Sequence, residues 1–114
     1  MSFDLAIWHQ AAPLTDEEAF AIYDRLTDGF VGVVQESPAV QKFLSDLLEI
    51  YPEDTDESDP SPWASGIYSN SECVLLAISW SRKEEVSTVV EGLAVRRGLV
   101  VYDPQSGVLK RSTQ

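Results

Sequence analysis

The chain has 114 residues, 44% of them hydrophobic and 10% aromatic, which suffices for one domain built on a single core. Nineteen Asp and Glu against eight Lys and Arg give a formal net charge of −11. Nucleic-acid backbones and anionic membranes need clustered cations, so neither is an expected partner. The excess charge is uneven: residues 1–72 carry 15 acids against Arg25 and Lys42, whereas residues 73–114 carry 4 acids and 6 bases. The lone Cys73 excludes an internal disulfide and fits a reducing compartment. No apolar run approaches the ~20 residues that span a bilayer. Met1-Ser2-Phe3-Asp4-Leu5 lacks the basic start and small-residue cleavage pattern of a secretory signal, so a cytoplasmic protein is expected.

Phe3 to Trp8 is rich in strand formers and predicts a first strand. Thr15-Asp16-Glu17-Glu18 has the form of a capping box, in which Thr15 and Glu18 satisfy each other's free amides. It opens a helix carrying Phe20, Tyr23 and Leu26 at helical spacing and ending at Gly29. The apolar link Phe30-Val31-Gly32-Val33-Val34 is expected to pack down. Ser37-Pro38 opens a second helix, with Val40, Phe43, Leu44, Leu47 and Leu48 on its apolar face, and Pro52 ends it.

Residues 53–62 hold five acids, two prolines and nothing apolar, which predicts a mobile acidic surface loop pinned at its end by Trp63. Gly66-Ile67-Tyr68 and Glu72 to Trp80 predict a hairpin turning at Ser69-Asn70-Ser71. Its second strand is apolar almost throughout, which implies a central position covered on both faces. Ser81-Arg82-Lys83-Glu84 has the form of a second capping box, leading a helix whose buried face is Val86, Val89, Val90, Leu93 and Ala94. Leu99 to Tyr102 predicts another strand, and Asp103-Pro104-Gln105-Ser106-Gly107 turns the chain into a short last one at Val108-Leu109-Lys110. The order is βααββαβ plus that short strand. The expected fold is therefore α+β, a ferredoxin-like antiparallel sheet with its helices on one face, in a single domain over 1–114.

The chemistry-bearing residues are few. Asp54, Asp56 and Ser58 begin a calcium-loop spacing, but Asp59 stands where the sharp turn needs Gly and Ser65 where a bidentate Glu belongs. One Cys and one His cannot build a structural zinc site. His9 is the only histidine, no nucleophile elbow or phosphate-binding glycine loop occurs, and no catalytic residue, cofactor or metal is assigned. Cys73 lies in an apolar run and reads as an inert core thiol. Trp8 and Trp80, at strand ends, read as core packing, and Asp103 reads as the cap of its own turn.

The opening Met1 to Trp8 and the closing Leu99 to Gln105 resemble small uncharacterised bacterial proteins that pair a similar first strand with a similar Tyr-Asp-Pro-Gln turn. In size and charge the chain is also similar to the acidic immunity proteins that neutralise bacterial toxins. The net −13 of residues 1–72, in the manner of such a protein, predicts a non-enzymatic domain whose acidic surface binds a basic protein. On that expectation Glu53, Asp54, Asp56, Glu57 and Asp59 steer the encounter and Trp63 supplies apolar contact. The rival expectation is a small-molecule binder or enzyme with a pocket near His9, Trp63, Tyr68 and Tyr102. A third is a scaffold whose acidity only confers solubility. Ferredoxin-like sheets pair across an open face or edge, which allows a homodimer.

Overall fold

The computed structural model describes residues 2–10, 12–53 and 62–110. It is an α+β structure with a five-stranded antiparallel sheet and three helices, running β1 (Ser2–Trp8), α1 (Asp16–Thr27), α2 (Pro38–Ile50), β2 (Tyr68–Ser69), β3 (Cys73–Ser79), α3 (Lys83–Arg96), β4 (Val100–Asp103) and β5 (Val108–Lys110). The strands lie in the order β2-β3-β1-β4-β5. β1 is the middle strand, pairing with β3 through Leu5↔Leu76 and Ile7↔Val74 and with β4 through Ala6↔Tyr102. No described helix is long and apolar enough to cross a membrane.

The helices occupy both faces of the sheet, which corrects the expectation that they share one. Successive strand residues point to opposite faces. Leu5 and Ile7 of β1, Val74, Leu76 and Ile78 of β3 and Val101 of β4 pack on one side with α2 and α3, through Val40, Phe43, Leu47, Val86, Val90 and Ala94. Ala6, Trp8, Cys73, Val100 and Tyr102 face the other side and pack on Ala19 and Leu26 of α1. The two-sided apolar character read in β3 belongs to β1 and β4 as well. A sheet apolar on both faces has to be covered twice.

The helix ends follow their local chemistry in two cases of three. Thr15 and Glu18 form the reciprocal cap, with Glu18 N–H donating to Thr15 Oγ1 at 3.1 Å and Thr15 N–H to Glu18 Oε1 at 3.0 Å. Ser37 accepts from the Ala39 amide ahead of Pro38. The second predicted box does not form. Trp80–Arg82 makes a 3-10 turn first, α3 begins at Lys83, and Arg82 stands at the cap position without a side-chain capping bond. Trp80 is 42% exposed, with the Lys83 ammonium 3.6 Å from its ring centroid, so it is not the core residue expected.

Two side chains replace backbone pairing where the sheet cannot supply it. The antiparallel register that pairs Ala6 with Tyr102 would bring Asp4 opposite Pro104, which has no N–H to donate. The Gln105 side-chain amide takes over: its Oε1 accepts from the Asp4 amide at 2.6 Å and its Nε2 donates to the Asp4 carbonyl at 2.8 Å. Asp103 is buried and accepts from the amides of Gln105 and Ser106, so it caps its turn as expected. It also accepts from Gln105 Nε2, which aims the amide at β1.

The second replacement holds the link between α1 and α2. Glu72, only 6% exposed, accepts from the amides of Gly32 at 2.8 Å, Val33 at 3.1 Å and Val34 at 3.3 Å. Val33 and Val34 pack against the α1-side core, but Phe30 and Val31 are 59% and 74% exposed, so only half of this link packs down as expected. The Gly32 amide above all, helped by those of Val34 and Val33, holds the Glu72 carboxyl below its usual value near 4.5, against the opposing effect of burial.

Because the folded carboxyl is the more acidic, its stabilisation is complete above pH ~4.5 and is lost as pH falls through the folded value. Glu72→Gln sets an amide N–H₂ among three donors and should cost about 1–3 kcal/mol at neutral pH. In urea titrations the wild type should lose stability below pH ~4.5 more steeply than the variant. Exchange of the Gly32 and Val33 amides with deuterium should be faster in the variant. A variant as stable as the wild type, with these amides still protected, would refute the clamp.

Candidate functional site

The most developed surface feature runs along one flank of α1. At 100° per residue, Ala19, Ile22 and Leu26 form the stripe facing the sheet, while Asp16, Phe20, Tyr23 and Thr27 follow one another along the adjoining flank. Beside the first half of that flank is a depression of about 330 Å3, lined by Asp16, Glu17, Phe20, Tyr102, Pro104 and Gly107. Beside the second half is a groove of about 220 Å3 whose lining includes Asp4, Tyr23, Tyr68, Leu75 and Ala77. The rings of Tyr23 and Tyr102, 5.4 Å apart between centroids, stand where the two meet.

Phe20 is the apolar centre of the outer surface of α1. It is 55% exposed, with Asp16 and Glu17 one turn before it and Asp24 one turn after. Burial, then Asp4 and then Tyr102 raise the Tyr23 pKa above its usual value; burial, then Asp16 and Asp103 do the same for Tyr102. Both phenols therefore stay neutral at any physiological pH.

Charge is divided between the two faces. α1 with its C-terminal cap carries Asp16, Glu17, Glu18, Asp24 and Asp28 against Arg25 alone. None of those acids is in an ion pair among the described residues. On the other face α2 and α3, with the flanking Arg82 and Arg97, balance Asp46, Glu49, Glu84, Glu85 and Glu91 against Lys42, Arg82, Lys83, Arg96 and Arg97. Arg97 binds Asp46 through Nε and Nη2, Arg82 binds Glu85, and Lys110 of β5 reaches Glu91. Of these two sets the net negative charge therefore belongs to α1, with the exposed Glu36 and Glu53 of the links counted in neither.

Of the residues expected to meet a partner, Asp54, Asp56, Glu57 and Asp59 lie outside the described residues. Glu53 is exposed and accepts from the Ile67 amide at 3.1 Å, which ties the start of the acidic segment to the chain entering β2. Trp63 is corrected from a contact residue to a core one. It is 7% exposed, donates from Nε1 to the Tyr51 carbonyl at 3.0 Å, and meets the Tyr51 ring edge-on. It does pin the chain, since Ser79 N–H donates to the Pro62 carbonyl and Ala64 N–H to that of Ala77, aligning 62–64 with β3.

The rival pocket is not assembled. Tyr68 and Tyr102 line the α1-side grooves, Trp63 belongs to the core on the opposite face, and His9 lines neither groove. His9 Nδ1 is buried without a hydrogen-bond partner among the described residues. Among those residues no group of three or more His, Cys, Asp or Glu is arranged to hold a metal ion. Cys73 is fully buried, and burial, with Glu72 beside it, pushes its thiol up to about 11, which leaves it unreactive.

Phe20 and Asp4 were missed as site residues, although the sequence signals both. Phe20 falls outside the Ala19, Ile22, Leu26 stripe and is bracketed by acids, and Asp4 is the one charge inside an otherwise apolar strand. No protein-family model, curated protein or solved structure matches the chain.

The contrast between Phe20 and Trp63 is measurable by urea unfolding. Phe20→Ser should leave stability within about 0.5 kcal/mol of wild type, as for an exposed position. Trp63→Ala should cost about 3–5 kcal/mol, as for a buried indole. Equal effects of the two changes would contradict the assignment.

Proposed function

We propose that this chain is a non-enzymatic protein-binding domain that captures a basic partner on the α1 side of its sheet, in the manner of an immunity or inhibitor protein. The observation supporting it is the division of charge between the faces. α1 presents carboxylates outside any ion pair among the described residues, set around an exposed phenylalanine. α2 and α3, taken with the flanking Arg82 and Arg97, balance five acids with five bases, and those two arginines pair with Glu85 and Asp46. Complementary potential accelerates encounter with a cationic partner and aligns it, and an apolar residue within a charged rim then supplies the desolvated contact. Phe20 takes the role first given to Trp63, and Glu53 with the acids of 54–59 extends the negative field. The same charge argues against a second copy docking here, because two such faces repel.

We also infer a ferredoxin-like order beneath this surface. α2 shares its face with α3, as the two crossover helices of a split-βαβ pair do. On this reading α1 and β5 are additions to a βαββαβ framework, and α1 is the addition that carries recognition. A cytoplasmic setting fits the free, buried Cys73.

The test is capture from the native organism's lysate at low and high salt. It compares wild type, an α1 variant (Glu17→Gln, Asp24→Asn, Asp28→Asn), a loop variant neutralised at Asp54, Asp56, Glu57 and Asp59, and a control (Glu49→Gln). Asp16 and Glu18 are left intact because the first accepts from the Leu109 amide and the second closes the cap. A basic protein should be retained by wild type and the control at low salt, less well by the loop variant, and released at high salt. The α1 variant should lose it, through an association rate roughly ten-fold or more slower. Recovery of no basic protein, or undiminished capture by the α1 variant, would overturn the reading.

A further inference from the structure

From the groove at the second half of α1 we infer a socket for one arginine side chain of the partner, with Asp4 as its anion and Tyr23 and Tyr68 as its aromatic walls. This rests on the protein-binding reading above and adds to it the chemistry of the contacting residue. β1 and β3 build the floor: Asp4 lies opposite Ala77, and Leu75 lies opposite Tyr68 of β2, all on the sheet face that α1 leaves open here. Ala77 is small, which keeps the floor low beside the carboxylate. Tyr23 rises from α1 on one side and Tyr68, 42% exposed, from the edge strand on the other.

Asp4 is half-buried, and among the described residues it has no cationic partner and no Lys or Arg lines the groove. Its Oδ1 accepts from Ser2 Oγ at 2.9 Å, which leaves Oδ2 for a ligand. Its backbone N–H and C=O are both taken by the Gln105 amide, and it lies in register opposite Ala77 of β3. The carboxylate is thus fixed before anything binds, so a ligand meets little ordering cost.

A half-buried carboxylate beneath aromatic faces suits a cation. A guanidinium fits better than an ammonium: it is planar, more weakly hydrated, stacks on aromatic rings and still donates to a carboxylate at its edge. A groove of about 220 Å3 admits a single side chain, not a folded segment. Tyr23, kept neutral, can donate or accept at the rim without competing for the positive charge.

The probe is a blocked Gly-Arg-Gly peptide titrated into the 15N-labelled full chain, with Gly-Lys-Gly and the neutral isostere Gly-citrulline-Gly in parallel. Saturable shifts are expected at the amides of Asp4, Leu75, Tyr68 and Ala77 with arginine, weaker ones with lysine and none with citrulline. Asp4→Asn should raise the arginine peptide's Kd at least about ten-fold, while Glu49→Gln leaves it unchanged. An otherwise unaltered amide spectrum of the Asp4→Asn protein establishes that it is folded. Tyr68→Ala, on the exposed edge strand, is the second variant and should also weaken binding. No saturable shift, equal response to citrulline or lysine, or indifference to both variants would overturn the socket. Because the peptide replaces the partner, the two readings fail separately. A basic protein lost with the α1 variant but no peptide binding removes only the socket, whereas peptide binding with no captured protein removes the basic-partner reading.

Discussion

The whole arrangement depends on β1 being buried on both of its faces. Leu5, Ala6, Ile7 and Trp8 are each at most 3% exposed, yet alternate between two separate cores. A one-residue slip would exchange Leu5 and Ile7 with Ala6 and Trp8, forcing an indole into the space of an isoleucine and leaving an alanine to fill an aromatic site. The register of β1 against β3 and β4 is therefore fixed by volume as well as by hydrogen bonds. The same requirement sends α1 to one face and α2 with α3 to the other. α1 contacts β4 and β5, so the β2 and β3 side of its face stays open and forms the groove. The site follows from how the core is covered.

Two of the chain's carboxylates belong to this frame and not to its surface. Glu72 and Asp103 are buried and spend their oxygens on backbone amides. In each case the carboxylate does what a neighbouring strand or helix turn would otherwise do, since a buried unpaired amide is costly. Gln105 plays the same part beside Pro104. These substitutions let a chain with irregular links keep its polar groups satisfied, and they separate structural acids from those left to create an external field.

Much of the fold was legible because it is encoded locally. Thr15 with Glu18, Ser37 with Pro38 and the apolar run of β3 depend on neighbours within a few residues, and the caps and the strand appear where the sequence predicts them. What failed depends on tertiary context. Ser81 and Glu84 have the spacing of a capping box, but the turn at Trp80–Arg82 moves the start of α3 two residues past Ser81. Trp63 follows an acidic stretch, which suggested a rim, and only its pairing with Ile78 and its bond to Tyr51 turn it inward. Placing both crossover helices and α1 on one face failed for a related reason. The apolar count of a strand says that two faces are covered, but not by which helix. The site was less legible than the fold, because Asp4, Tyr23 and Tyr68 are brought together from β1, α1 and β2 and share no spacing.

The distribution of acids along α1 separates a solubility role from a recognition role. Asp16, Glu17 and Glu18 lie at the N-terminal end, where the helix dipole favours them, and two of them also accept backbone hydrogen bonds, so folding alone accounts for them. Asp24 and Asp28 lie at the opposite end, where the dipole disfavours negative charge, and neither has a cationic partner among the described residues. Each costs the helix a few tenths of a kcal/mol, so packing does not explain them. Solubility would be served equally by carboxylates on α2 or α3, yet the five acids there are offset by Lys42, Lys83 and Arg96 together with the flanking Arg82 and Arg97. Unpaired charge kept at an unfavourable position, beside an exposed phenylalanine and a groove holding an unmatched aspartate, is the pattern that a cationic partner would complete.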